Sequence, residues 1–190
     1  MVKRGAALND HSNVLCVCSF NRTRSVLMAA LLTHHTEREG IAVNVTSAGT
    51  MSDGMPPTAD TVRMLANRGL DVSRHSSRRV DEDLVRSSDL IVTAERDHVV
   101  AIAGQWPALF TATYTLPELV RRASKLEGRA GRSTADWLAD VGAGRPIAVD
   151  YLDAPDVGDI VDPTGQPRQV WDRVFHEIDE LTRRLALALK

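Results

Sequence analysis

Residues 14–32, VLCVCSFNRTRSVLMAALL, constrain this chain more than any other stretch. They open with Val14, Cys16 and Cys18 alternating against Leu15 and Val17, the two-residue period of a strand. They close on residues 26–32, an apolar run suited to a buried helix. Between the two lies Ser19-Phe20-Asn21-Arg22-Thr23, a polar bend closed by Arg24 and Ser25. The order is strand, tight loop, helix N-terminus, with a cysteine where the loop begins and an arginine where it ends.

That order has a chemical logic. A helix N-terminus leaves backbone N–H groups unpaired and carries partial positive charge, so it attracts anions. A short loop bent around one point aims further N–H groups at the same anion. Arg24 adds a planar fork suited to two phosphate oxygens at once. A cysteine held at the centre feels the same field, which favours its thiolate. The Cys-x5-Arg spacing occurs twice, as Cys16–Arg22 and Cys18–Arg24. Cys16 lies within the strand, where a small buried side chain is its simplest role. Cys18 lies where the strand stops, and Asn21 suits a loop needing a left-handed residue. Cys18 is therefore the candidate nucleophile.

The segment resembles the signature of the low-molecular-weight protein tyrosine phosphatases, Cys-x-x-Asn-x-x-Arg-Ser after a hydrophobic strand. Three more segments match in order. Thr46-Ser47-Ala48-Gly49-Thr50 is similar to the family's Ser-Ala-Gly-Thr turn. Residues 69–78, GLDVSRHSSR, are similar to its Gly-Ile-Asp-x-Ser-x-His-x-Ser-Arg segment. Asp162-Pro163-Thr164-Gly165 resembles its Asp-Pro-Tyr-Gly acid loop.

The rest of the chain suits such a fold. At 190 residues it is expected to form one domain with a sizeable core. Residues 41–45 alternate as a second strand, 89–94 read as a third, and 110–115 as a fourth. Pro56-Pro57-Thr58 opens a helix stopped by Gly69; another spans about 95–103, and the last about 169–189. Strands alternating with helices predict an α/β three-layer sandwich, a central four-stranded parallel sheet with helices on both faces. The phosphate loop then follows the first strand, at the sheet's carboxyl edge. Residues 1–12 read as a loose tail and 13–190 as the phosphatase domain. Two helices at 116–126 and 133–141 belong to an insertion at about 116–155, whose simplest reading is surface decoration, with a substrate lid or dimer contact as the alternative. His34-His35 reads as a solvated helix end, and Gly142-Ala143-Gly144 is no dinucleotide fingerprint.

A net charge of −2 gives no general attraction to nucleic acid or anionic membrane. No apolar run approaches the roughly 20 residues of a membrane span. Two cysteines so close together form neither a disulfide framework nor a zinc site, which points to a reducing, cytoplasmic setting.

The resemblance implies a phosphomonoesterase acting through a phosphocysteine. Cys18 would be the nucleophile, Arg24 and the loop N–H groups from Ser19, Phe20, Asn21, Arg22, Thr23 and Arg24 would hold the phosphate, and Asp162 would be the acid. Ser25 would donate to the thiolate, and Asn21, Ser47 and His75 would support the loop. No metal or cofactor is implied. The expected partners are a phosphorylated protein or small aryl phosphate, with phosphate, sulfate and vanadate as loop ligands, and the expected state is monomer or weak dimer. An arsenate reductase shares the fold but needs further cysteines, and none follows Cys18. A non-catalytic anion- or phosphoprotein-binding module is the alternative; it would need no acid on a separate loop.

The chain departs from the family at several places. Phe20 replaces a small loop residue and is expected to turn its ring away from the phosphate. Thr23 stands where members often carry a second cysteine, and Val26 where a proline is common. Thr164 replaces the acid-loop tyrosine, leaving Trp106, Trp137, Tyr114 or Tyr151 as candidates for the missing pocket wall. Arg22 is expected to be solvated.

Overall fold

The sheet is laid down from its middle. In this computed structural model, which describes residues 12–51 and 53–190, strand β1 (Ser12–Cys18) pairs on one side with β2 (Val43–Gly49) and on the other with β3 (Leu90–Thr93). Strand β4 (Thr113–Thr115) pairs with β3, giving the all-parallel order β2-β1-β3-β4. The order reverses across β1, so the carboxyl end of β1 is a topological switch point, where such sheets bind ligands. Of the tail expected at 1–12, residues 1–11 lie outside the described residues, and Ser12 opens β1.

Parallel strands need cover on both faces. Val14, Cys16 and Cys18 point into one core, with Leu27, Leu31, Leu119, Val174 and Ile178. Leu15 and Val17 point into the other, with Val85, Ile91 and Ile102. The first face is covered by α1 (Arg24–Arg38), α5 (Leu116–Ala123) and α7 (Arg168–Ala188), the second by α3 (Glu82–Arg86) and α4 (Arg96–Gln105). A further helix, α2 (Ala59–Ala66), contributes Leu65 to the first core, and α6 (Thr134–Val141) contributes Trp137 and Leu138. In α7, Trp171, Val174, Ile178 and Leu185 recur at helical spacing and are buried. Each such side chain contributes about 2 kcal/mol by leaving water. No helix among the described residues is long and apolar enough to cross a membrane.

Four expectations are corrected. The fourth strand is shorter than 110–115, because residues Pro107–Ala112 form a 3-10 helix that Pro107 opens, and only Thr113–Thr115 pair. The Ser-Ala-Gly segment is no turn: Ser47, Ala48 and Gly49 are the end of β2, paired with Cys16, Val17 and Cys18. His35 is not solvated; it is buried, its Nε2 lies 2.9 Å from Asp179 Oδ1, and Arg68 meets the other oxygen of that carboxylate. The Asp179 carboxylate therefore ties α7 to α1 and to the end of α2.

The fourth correction concerns residues 116–155, which are no decoration. Leu116, Leu119, Val120 and Ala123 belong to the first core. Glu118, wholly buried, accepts from Arg122 Nε at 2.9 Å, Arg145 Nε at 3.0 Å and Tyr151 Oη at 2.5 Å. The Arg145 guanidinium is enclosed by the rings of Phe110, Tyr114 and Tyr151. A buried carboxylate survives only with such partners. Burial and the neighbouring Glu118 both push the Tyr151 phenol up, so it stays a donor.

Candidate active site

Residues 19–23 turn the chain from β1 into α1, and Asn21 adopts the left-handed conformation, with φ of 51°. The loop's carbonyls face outward. Thr50 N donates to Cys18 O, Met51 N to Ser19 O, His75 Nε2 to Asn21 O, Thr58 N to Arg22 O and Leu27 N to Thr23 O. Every peptide is trans among the described residues, so outward carbonyls turn the N–H groups that follow them toward the loop's centre. The N-cap of α1, Thr23, makes no side-chain capping bond, nor do those of α4 and α7, whereas Thr58, Asp81, Thr115 and Ser133 each cap the helix they precede. The first turn of α1 thus keeps its donors for whatever occupies the loop.

Asn21 holds this shape from inside. Its Nδ2 donates to Ser25 Oγ at 3.0 Å and to Ser47 Oγ at 2.9 Å, and its Oδ1 accepts from Arg78 N at 3.0 Å. Because Ser25 Oγ accepts from Asn21, its own hydrogen is free to point at Cys18 Sγ, 3.0 Å away. Such a hydroxyl stabilises a thiolate. Gly49 completes the fit: a Cβ there would lie 2.8 Å from both Asn21 N and Ser19 O.

Arg24 is buried and its guanidinium is pinned on one side. NH1 donates to a Glu95 carboxylate oxygen and to Ile160 O at 3.0 Å, and NH2 donates to Asp162 Oδ2 at 3.1 Å. Its Nε is buried with no acceptor among the described residues. An ionised donor left so would cost several kcal/mol, roughly the desolvation penalty of a charged group, unless an anion meets it. Asp162 Oδ1 in turn accepts from Thr164 N at 2.9 Å, which fixes the start of the acid loop. Cys18, Phe20, Arg22, Thr23, Arg24, Thr58, Asp162 and Thr164 line one cavity of about 200 Å³.

The expected residues therefore converge, with changes of detail. His75 meets the loop through the backbone carbonyl of Asn21. Arg22 is part-exposed, and its Nε donates to Pro56 O at 2.7 Å. Phe20 lines the cavity and is 49% exposed. Tyr114, Tyr151 and Trp137 are wholly buried in the core and Trp106 packs on the second face, so none of them walls the cavity. Hydroxyls also line the cavity, Thr23 Oγ1 being 3.3 Å from Thr58 Oγ1 and 3.4 Å from Thr164 Oγ1.

Sequence reasoning missed Glu95, His98 and Arg78. A charged residue just past β3, at the sheet's carboxyl edge, was a usable signal for Glu95. His98 lies one helical turn on; its Nε2 is 3.0 Å from Ser19 Oγ and its Nδ1 has no partner among the described residues. Burial, then the Arg24 charge, lower its pKa from 6.5 to about 4, so it is a neutral ring beside the loop.

The sequence profile described as Low molecular weight phosphotyrosine protein phosphatase matches residues 13–124. A protein-arginine-phosphatase of Bacillus subtilis is 27% identical over 179 residues, 94% of this chain and 97% of that protein. A low molecular weight protein tyrosine phosphatase from the same species superposes with a TM-score of 0.70 at 26% identity, covering 93% of this chain and 96% of its own. A YwlE arginine phosphatase with a phosphorylated active-site serine in place of cysteine superposes at 0.69 and 27%, covering 92% and 93%.

Proposed function

We propose the following division of labour for a chain that belongs to the low molecular weight phosphotyrosine protein phosphatase family and is a cysteine-dependent phosphomonoesterase of that type. Cys18 attacks phosphorus in line with the departing oxygen, forming an S–P bond as the O–P bond breaks. The N–H groups of residues 19–24 and the Nε edge of Arg24 hold the three equatorial oxygens, which carry the charge of the transition state. Asp162 gives its proton to the departing oxygen. Water then attacks the phosphocysteine, Asp162 takes its proton, and phosphate leaves with the thiolate restored. The phosphorylated serine in the arginine phosphatase relative is phosphate on the corresponding kind of side chain.

The observation that carries this reading is the buried Nε of Arg24, a charged donor with no acceptor among the described residues, on a cavity that Cys18 and Asp162 also line. Asp162 occupies the NH2 of Arg24; a phosphate taking that donor releases the carboxyl toward the leaving oxygen. The substrate is best read as an aryl phosphate, phosphotyrosine in a protein or a small analogue. Phe20, which lines the cavity, offers a ring for an aryl group to stack on. Two thiols kept free suit a reducing compartment, the cytoplasm. The test is p-nitrophenyl phosphate hydrolysis in chelator-treated buffer, with competition by vanadate and parallel assays on phosphotyrosine and phosphoarginine peptides. Turnover that vanadate blocks, with phosphotyrosine preferred, is expected. Vanadate-insensitive turnover would remove the loop from catalysis, and a phosphoarginine preference would overturn the substrate reading.

A further inference from the structure

Asp162 lies in a stretch without helix or strand, so its aim depends on what holds the chain before it. The nearest backbone anchor is Ile160, whose N–H donates to Ala94 O at 2.8 Å and whose carbonyl accepts from Arg24. Upstream of Ile160, Arg121 Nε donates to Asp156 O at 3.1 Å, and Arg96 makes most of the remaining side-chain bonds to the segment. Arg96, the first residue of α4, sends Nε to Asp159 Oδ2 at 2.9 Å, NH1 to Leu152 O at 2.7 Å and Ala154 O at 3.4 Å, and NH2 to Val157 O. Its backbone N–H adds a bond to Asp159 Oδ1 at 2.8 Å. The segment is pressed home as well: a Cβ on Gly158 would lie 2.8 Å from Pro117 Cβ. Adjacent residues thus hold the two halves of the site, Glu95 the guanidinium of Arg24 and Arg96 the approach to Asp162.

We propose that Arg96 is a positioning residue for Asp162. It touches neither the cavity nor the reacting atoms, and the inference rests on the reading of Asp162 as general acid. The ion pair with Asp159, partly exposed, is the lesser part of the effect. The larger part is the planar fork, which binds carbonyls from three residues at once; a lysine ammonium is a point charge and cannot span them. Without the fork, Leu152, Ala154 and Val157 lose their carbonyl anchors and Asp162 spends less time at the leaving oxygen, while Cys18 and the phosphate loop stay as they are.

The experiment compares kcat/KM on phenyl phosphate and p-nitrophenyl phosphate for wild type, Arg96→Ala, Arg96→Lys, Asp162→Asn and the Ala–Asn double variant. A good leaving group needs little protonation, so loss of acid aim falls on the phenyl ester. Arg96→Ala should lose about tenfold on phenyl phosphate, part of the roughly 10²–10⁴ that general acid catalysis supplies. It should lose much less on the nitrophenyl ester, with vanadate inhibition unchanged. Lysine should not rescue it, and the double variant should be no slower than Asp162→Asn alone. Equal losses on both esters, rescue by lysine, or additive losses would overturn the inference while leaving Asp162 its role. If Asp162→Asn itself loses equally on both esters, the acid reading falls and takes this inference with it. Should Arg96→Ala fail to fold, Arg96→Lys carries the test: it must lose more on phenyl phosphate than on the nitrophenyl ester, and an unchanged ester ratio overturns the proposal.

Discussion

Cys16 and Cys18 share a strand face and differ in everything their sulfurs meet. Cys16 sits in the core, where burial and then the neighbouring Cys18 push its thiol far up, so it stays protonated. Cys18 meets the Ser25 hydroxyl and lines the cavity. Cys18→Ser should abolish turnover of p-nitrophenyl phosphate yet retain phosphate binding by calorimetry, whereas Cys16→Ser should keep most activity. The cost of Cys16→Ser is a hydroxyl buried without a partner, about 1–3 kcal/mol in urea unfolding. Turnover in the Cys18 variant with loss in the Cys16 variant would reverse the assignment. His98 carries a second residue-scale prediction. Its pKa falls from 6.5 to about 4 on folding, by burial first and Arg24 second. As pH drops below 6.5 the unfolded chain takes up a proton that the folded one refuses, so stability declines until about pH 4, by at most about 3 kcal/mol. His98→Gln should flatten that decline between pH 7 and 4.5, and parallel curves for both proteins would assign it to other groups.

At the scale of elements, the phosphate loop is shaped by β2 as much as by its own residues. The Cβ that an alanine at Gly49 would add meets the loop's backbone at 2.8–2.9 Å, and backbone cannot swing aside as a side-chain end can. Gly49→Ala should therefore cost about 10²-fold in kcat/KM, the scale of a misplacement near 1 Å, and lower the melting temperature. Gly104, in α4 with open space where its Cβ would go, is the control. Gly104→Ala should be neutral or stabilise by about 0.4–1 kcal/mol. Near-wild-type kinetics in Gly49→Ala would mean the loop tolerates displacement. The same contrast explains what was legible in the sequence. β1, the loop and α1 were readable because their signals are local: a two-residue period, a left-handed Asn21, an apolar helix. β4 misled because 110–115 is apolar and β-branched at its end, while Pro107, upstream, commits the first part to a 3-10 turn. Glu95 and Ile160, which hold Arg24, lie 71 and 136 residues from it. The place of Glu95 just past β3 hints at the site, but nothing local pairs it, or Ile160, with Arg24. His35 failed for the same reason, its partner Asp179 being 144 residues away.

For the whole molecule, the chain holds two cysteines and both are on β1. Any thiol that could rescue an oxidised Cys18 from within must therefore be Cys16. Peroxide turns the Cys18 thiolate to sulfenate and water, and a second thiol could then displace hydroxide to make a disulfide. Strand residues two apart stand about 6.6 Å from each other, at the upper limit for a bridge, with side chains parallel rather than converging. β1 cannot buckle to close that gap, because Cys16 is held in register against Ser47 on one side and Val92 on the other. Burial also keeps the Cys16 thiol protonated, and the thiol form is a poor nucleophile. Oxidation should accordingly proceed to sulfinic and sulfonic states, or stop as a mixed disulfide when glutathione is present. Intact-protein mass after dilute peroxide should show added oxygens without glutathione and one added glutathione with it, and only the latter should recover activity with dithiothreitol. A loss of two hydrogens that reductant reverses, with activity restored, would mean that the centre of the sheet opens far enough to join its two cysteines.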